Sequence, residues 1–168
     1  IALATTPIGP DETAADLTPR LADLAAGLAR EWMPRIAAGD YPRTPQDNDR
    51  ATHASKIEKA EAELRPDRPA EEEYRRFRAF TPAPGAFLMT AEGPVKVTQA
   101  RWVPEAEGTP GTVVALHPDV VIAFQTGGLR LLEVAPPGRK RMAGIDYVHG
   151  LRLRPGDALW LPGINSNQ

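Results

Sequence analysis

The chain is expected to be an α+β protein: a strand–helix remnant of an α/β domain, an exposed linker, then a small, partly open β-barrel of OB-like character. Three observations lead there. A leucine stripe at helical spacing runs through the first forty residues. A proline-punctuated stretch with little apolar content follows, from Asp40 to Pro69. After Pro82-Ala83-Pro84-Gly85 the apolar pattern changes to short runs separated by turn residues, with one helix-like insertion before the last run. The expected domains are therefore residues 1–40, a linker over 41–69, and a barrel over 70–168. Eighteen prolines argue against long helices beyond the first forty residues, and 42% hydrophobic content suffices for a core.

In chain order, Ile1 to Ile8 reads as an apolar strand stopped by Gly9-Pro10. Thr13 can cap a helix, with Asp16 three residues on completing a capping arrangement. Leu17, Leu21, Leu24, Leu28, Trp32 and Ile36 form its apolar stripe. Pro19 fits near its start, Pro34 should kink or restart it, and Gly39 ends it. A strand feeding such a helix is half of an α/β unit and needs further strands to pack on, so it reads as the severed edge of an α/β domain. The chain starts on Ile1 rather than Met, and a fragment is expected.

Pro69 to Phe80 is expected to be a short helix. Glu71, Glu72 and Glu73 complement its N-terminal dipole, Glu71–Arg75 and Glu72–Arg76 form i,i+4 pairs, and Tyr74 and Phe77 face inward. Strands are expected at Ala86–Thr90, Val95–Trp102, Thr112–Leu116, Val120–Gln125, Leu129–Val134 and near Ala158–Leu161. A short helix should span Ala143 to His149.

Chemistry-bearing constellations are thin. With no cysteine there is no disulfide framework and no thiolate site. His53, His117 and His149 are far apart and form no HxH or HxxxH pair, so no metal site is expected. Ser55 and Ser166 lie in no GxSxG elbow, and no phosphate-binding GxxxxGK[ST] occurs. No apolar run approaches the roughly 20 residues of a membrane helix. The chain on its own is expected to be catalytically inert, and a cytoplasmic, monomeric protein is expected.

Charge is the more informative feature. The net charge is −2 and the pI about 6.0, yet from Tyr74 onward eleven Lys/Arg stand against seven Asp/Glu. Within this half, Gly127 to Gly156 delivers a strand, a Pro136-Pro137-Gly138 break, then Arg139, Lys140 and Arg141, with Arg152 and Arg154 beyond the short helix. Asp146 is the only acid between Arg139 and Arg154. Such a basic loop on a β body suits a phosphate backbone better than a small-molecule pocket, although on charge alone a solvated surface loop is the preferred reading, since basic runs of this length are common.

The order of segments resembles methionyl-tRNA formyltransferases. The pieces are PIGPDETAADL with RLADLAAGLA, PRIAAGDY with TPQ, ATHASKIEKAEAEL, RRFRAFTPAPGAF, GPVKV, PGTVVA, and GGLRLLEVAPPGRKRMAGIDYVHGLRLRPG. Together they cover nearly the whole chain. Where the family often carries a tryptophan after the acidic linker and an aromatic in an NPWPG segment, this chain reads LRP and TPAPG.

The resemblance implies the end of a Rossmann-like catalytic domain followed by the family's OB-like C-terminal domain. It implies formyl transfer from 10-formyltetrahydrofolate to methionine on initiator tRNA, with catalytic residues and folate pocket upstream of Ile1 and no cofactor on the present residues. It also implies tRNA contacts at Lys56 and Lys59, in the family's basic linker, and at Arg139, Lys140 and Arg141, in its basic barrel loop. Arg78, Lys96, Arg152 and Arg154 join them on charge and position. A related formyltransferase or a formyl-folate hydrolase or dehydrogenase, with a non-tRNA acceptor and the barrel only as scaffold, is the alternative.

Overall fold

The computed structural model describes residues 1–161, which divide into two compact units, Ile1–Ile57 and residues from Glu58 onward. The division falls inside the stretch expected to be linker.

The first unit is built on helix α1, Ala14–Ala37. Its start is a reciprocal capping box: the Asp16 amide donates to Thr13 Oγ1, while the Thr13 amide donates to Asp16 Oδ2 at 3.0 Å. Its end is a Schellman turn. Gly39 takes φ +73°, its amide donates to the Ile36 carbonyl, and the Asp40 amide donates to the Arg35 carbonyl at 2.9 Å. The helix does not restart at Pro34 but continues through it to Ala37. Ile1 to Ile8 is not a strand. A strand needs a neighbour's amides and carbonyls, and none among the described residues pairs with this segment. Instead the Arg20 guanidinium gathers it, donating to the Pro7 carbonyl and Thr6 Oγ1 while pairing with Glu12. That pair holds the Glu12 carboxyl below its ordinary pKa. No residue of α1 is buried.

The second unit holds the core. A 3₁₀ turn, Lys59–Ala62, opens it. The expectation of an exposed stretch fails from Ala62 on: Ala62 and Leu64 are fully buried, the Leu64 amide donates to the Phe87 carbonyl at 2.8 Å, and Glu63 bridges Phe87. Helix α2, Ala70–Phe80, follows with Pro69 at its cap and Tyr74, Phe77 and Phe80 buried. Glu71 pairs with Arg75 as expected, but Arg76 turns to Glu73 rather than Glu72. Glu73 is no surface dipole partner, for it is completely buried. One carboxylate oxygen accepts from the Arg65 amide at 3.0 Å, while the other faces Arg76 Nε at 3.4 Å and Arg68 at 3.7 Å.

Six antiparallel strands complete the fold: β1 Phe87–Thr90, β2 Gly93–Val103, β3 Val113–Ala115, β4 Val120–Ala123, β5 Gly128–Ala135 and β6 Met142–Ala143. Their order is β1-β2-β5-β4-β3, with β6 added on β5. The β2–β5 register runs from Lys96 opposite Ala135 to Val103 opposite Gly128, with one extra residue on each strand, Thr98 and Leu132. Such bulges sharpen twist and curl a sheet. The curl brings the free edges of β1 and β3 within reach of one chain segment. The Gly156 amide donates to Val113, the Leu159 and Trp160 amides to Gly111, and the Leu161 amide to Met89. The strand expected near Ala158–Leu161 is therefore a lace between two edges, with a single bridge at Thr112–Ala158, because the segment leaves β3 for β1 before a ladder can form. The result is a half-barrel, open between β1 and β3 except for this lace. Helix α3, Gly144–Gly150, seats Tyr147 and Val148 in the core, and the Tyr147 hydroxyl meets Thr90 Oγ1 at 3.3 Å.

Burial raises the Glu73 pKa above 4.5, outweighing the Arg65 amide and the two arginines. The native state therefore takes up this proton at higher pH than the unfolded chain, and the contribution of Glu73 to stability grows as pH falls from neutral towards 4.5. Urea denaturation at pH 7 and pH 5 should show Glu73→Gln lacking that gain relative to the parent. Glu73→Ala, which orphans the Arg65 amide, should cost about 1–3 kcal/mol.

Gly111 has φ +86°, and a Cβ there would lie 2.8 Å from Trp160 Cε3. Gly111→Ala combines left-handed strain with overpacking under the lace and should destabilise the chain by about 2–4 kcal/mol in denaturant titrations.

Candidate nucleic-acid interface

The basic loop is a hairpin end whose shape follows from its sequence. The Arg139 amide donates to the Pro136 carbonyl at 3.1 Å, with Pro137 and Gly138 (φ +69°) at the turn's central positions, a type II arrangement. Pro136 is buried, so the turn is rooted in the body while Arg139, Lys140 and Arg141 are exposed. β6 then brings the chain back onto β5, with Met142 opposite Val134.

Two carboxylates attend the hairpin. Glu92, from the β1–β2 turn, lies 3.7 Å from Arg139, and Glu133, on β5, lies 3.6 Å from Arg141. Both separations exceed hydrogen-bond length. Glu133 Oε1 also accepts from the hydroxyl of the bulged Thr98 at 2.7 Å. The Glu92 turn is held by Thr90, whose hydroxyl donates to the Gly93 carbonyl and faces Tyr147. Burial raises the Tyr147 phenol pKa, the Thr90 contact opposes this, and the Glu92 charge adds to it.

Beside the hairpin lies a cleft of about 310 Å³, lined by Lys96 and Arg141 together with Thr81, Gly85, Thr98 and Ala135. The fold thus joins two of the expected cations, Lys96 from β2 and Arg141 from the hairpin, which are far apart in sequence. The others are placed separately. Lys56 is exposed in the first unit, and Lys59 is exposed on the 3₁₀ turn of the second. Arg78 is half-buried on α2, its guanidinium 5.5 Å from the Tyr74 ring centre. Arg152 and Arg154 are exposed on the turn after α3, which Gly156 and Asp157 tie to β3.

Arg101 and Arg130 were not anticipated: they stand directly opposite each other across β2 and β5. Only the register reveals that pairing. Glu92 and Glu133 likewise gave no signal, since both read as ordinary strand and turn acids. Among the described residues no group of three or more His, Asp or Glu could hold a metal ion, and no helix is long and apolar enough to cross a membrane.

This architecture defines a small half-barrel module that presents a cationic hairpin and cleft on a rigid sheet. A profile of the formyl transferase C-terminal domain matches residues 56–152. The chain belongs to that family. It is 39% identical over 157 residues to the methionyl-tRNA formyltransferase of Myxococcus xanthus, covering 93% of this chain and 50% of that protein. To the methionyl-tRNA formyltransferase of Symbiobacterium thermophilum it is 41% identical, covering 91% and 48%. The chain spans about half the length of these curated relatives. Among solved structures, a variant of HypX from Aquifex aeolicus superposes with a TM-score of 0.65 at 18% identity, covering 86% of this chain and 27% of that one. HypX in complex with tetrahydrofolic acid gives 0.57 at 19% identity, covering 74% and 22%.

Arg152 adopts φ +60° at the end of α3, where its amide donates to the His149 carbonyl and the Leu153 amide to Val148. Glycine is the usual residue in that conformation. Arg152→Gly should therefore raise stability by about 1 kcal/mol in urea denaturation, at the expense of one exposed cation.

Proposed function

We propose that this chain is the tRNA-contacting part of a methionyl-tRNA formyltransferase. On this reading its partner is initiator methionyl-tRNA, the enzyme is a cytoplasmic monomer of translation initiation, and 10-formyltetrahydrofolate is the donor. The observation that carries the reading is the exposed Arg139-Lys140-Arg141 hairpin, rooted by Pro136 and set beside Lys96, in a chain matching relatives of that name. Each cation paired with a phosphate releases counterions, giving affinity and register without reading bases. Lys56, Lys59, Arg78, Arg152 and Arg154 would extend the same backbone contact. The likeness to HypX, at 18–19% identity, concerns the fold alone and gives no reason to change the acceptor.

The chemistry is assigned to the portion of the longer relatives that this chain does not span. Helix α1 fits that assignment: Leu17, Leu24, Leu28, Trp32 and Ile36 form a stripe that is only half covered, as expected of a helix at the edge of a Rossmann-like domain.

The test is initiator tRNA binding by the 168-residue chain, titrated from low to physiological salt. Micromolar or tighter affinity falling steeply with salt is expected. Replacing Arg139, Lys140 and Arg141 together by alanine should make the log–log slope shallower by roughly 2 to 3, at about 0.7–0.9 per lost phosphate contact. An unchanged slope would remove the hairpin from the interface.

A further inference from the structure

Lys96 is exposed on a stretch of β2 that is paired on both sides. Its backbone lies between two strands, opposite Phe87 on one side and Ala135 on the other. Gly85, at φ +95°, lies beside the lysine stem: a Cβ on that glycine would be in ordinary contact, 3.6 and 3.7 Å, with Lys96 Cδ and Cε. Among the described residues Lys96 makes no ion pair. Arg141 lines the same cleft, and no acid is among its lining residues. Glu133 lies 3.6 Å from Arg141 and also accepts from the Thr98 hydroxyl, so it is the carboxylate an incoming anion would meet at Arg141. A point-like ammonium and a forked guanidinium facing one small concavity make a suitable pair for a tetrahedral anion.

We infer that this cleft is a subsite for a single phosphate group, held between Lys96 and Arg141, and that Glu133 competes with that phosphate for Arg141. The source of the phosphate rests on the RNA-holding reading above: it is one unit of a nucleic-acid backbone whose neighbours engage the hairpin. Glu133 then acts as a threshold. A lone phosphate must displace it unaided, whereas a backbone already anchored at Arg139 and Lys140 presents the next phosphate at high effective concentration. The arrangement favours a continuous phosphodiester backbone over free anions.

The experiment compares the parent chain, Lys96→Ala and Glu133→Gln for initiator tRNA binding at 50 and 200 mM salt, with thermal midpoints checked for equal folding. It adds a titration of the ¹⁵N-labelled parent with inorganic phosphate. Lys96→Ala should bind more weakly and lose roughly 0.7–0.9 of log–log slope, so the fourfold salt increase costs it about threefold less affinity than the parent. Glu133→Gln, which still accepts from Thr98, should bind more tightly and with a steeper slope, because Arg141 then carries counterions to release. A structural role for Glu133 would not tighten binding. If the parent binds tRNA but Lys96→Ala keeps its slope, or Glu133→Gln fails to tighten binding, the subsite is overturned and the RNA-holding reading stands. If tRNA does not bind while inorganic phosphate shifts the amides of Gly85, Thr98 and Ala135, the reading falls and the subsite holds for a free phosphate. Silence towards both ligands overturns both.

Discussion

The antiparallel pairing of β2 with β5 is the constraint on which the second unit depends. These are its longest strands, and every other strand attaches through one of them: β1 to β2, β4 and β6 to β5, β3 through β4. Helices α2 and α3 rest on the same pair. Because side chains alternate faces, a one-residue slip would turn Leu129, Leu131 and Val134 out of the core, so the register is strongly specified. The bulges at Thr98 and Leu132 offset one another: each strand takes one extra residue, and the ladder resumes in step. What remains of them is curvature, and curvature brings β1 and β3 close enough to be laced by residues 156–161.

The same ladder carries the candidate site. Thr98, displaced by its bulge, reaches Glu133. Lys96 stands where β2 pairs on both sides, and Ala135 opposite it leads directly into the Pro136 turn that presents Arg139 to Arg141. Rigid strands thus gather these cations on a protein of net −2, with Glu92 and Glu133 the acids beside them. At physiological ionic strength exposed charges are screened beyond about 8 Å, so the local cluster counts for more than the net charge.

Buried polarity gathers at two places: Thr90 with Tyr147 between β1 and α3, and Glu73 on α2. Glu73 ties the 65–68 loop to the helix by accepting from the Arg65 amide, and the Ala70 amide and Arg68 carbonyl bond to Thr126 and Gln125. These bonds convert a proline-rich approach segment into part of the body. Further back, the Leu64 amide on Phe87 and Arg76 on the Glu61 carbonyl join residues 58–64 to the same body, the second unit beginning at Glu58.

Local signals were legible in the sequence. Thr13 with Asp16 and Gly39 bounded α1, Pro69 marked the start of α2, and alternating apolar runs located five strands to within a few residues, because caps, turns and side-chain periodicity act over a few bonds. The basic hairpin was legible too, since Pro136-Pro137-Gly138 specifies its turn and its charges are contiguous. The order of motifs identified the family. What only tertiary structure decided depends on distant partners. Ile1 to Ile8 pairs with no strand among the described residues and is irregular; Glu73, one of three consecutive glutamates, is buried because the Arg65 loop closes over it; residues 158–161 become a lace because the curled sheet offers two edges at once. Lys96 meets Arg141, and Glu133 stands between Thr98 and that arginine, through a register and two bulges that no short window of residues contains. Periodicity shows which face a side chain occupies, but only the paired strand determines what it meets there.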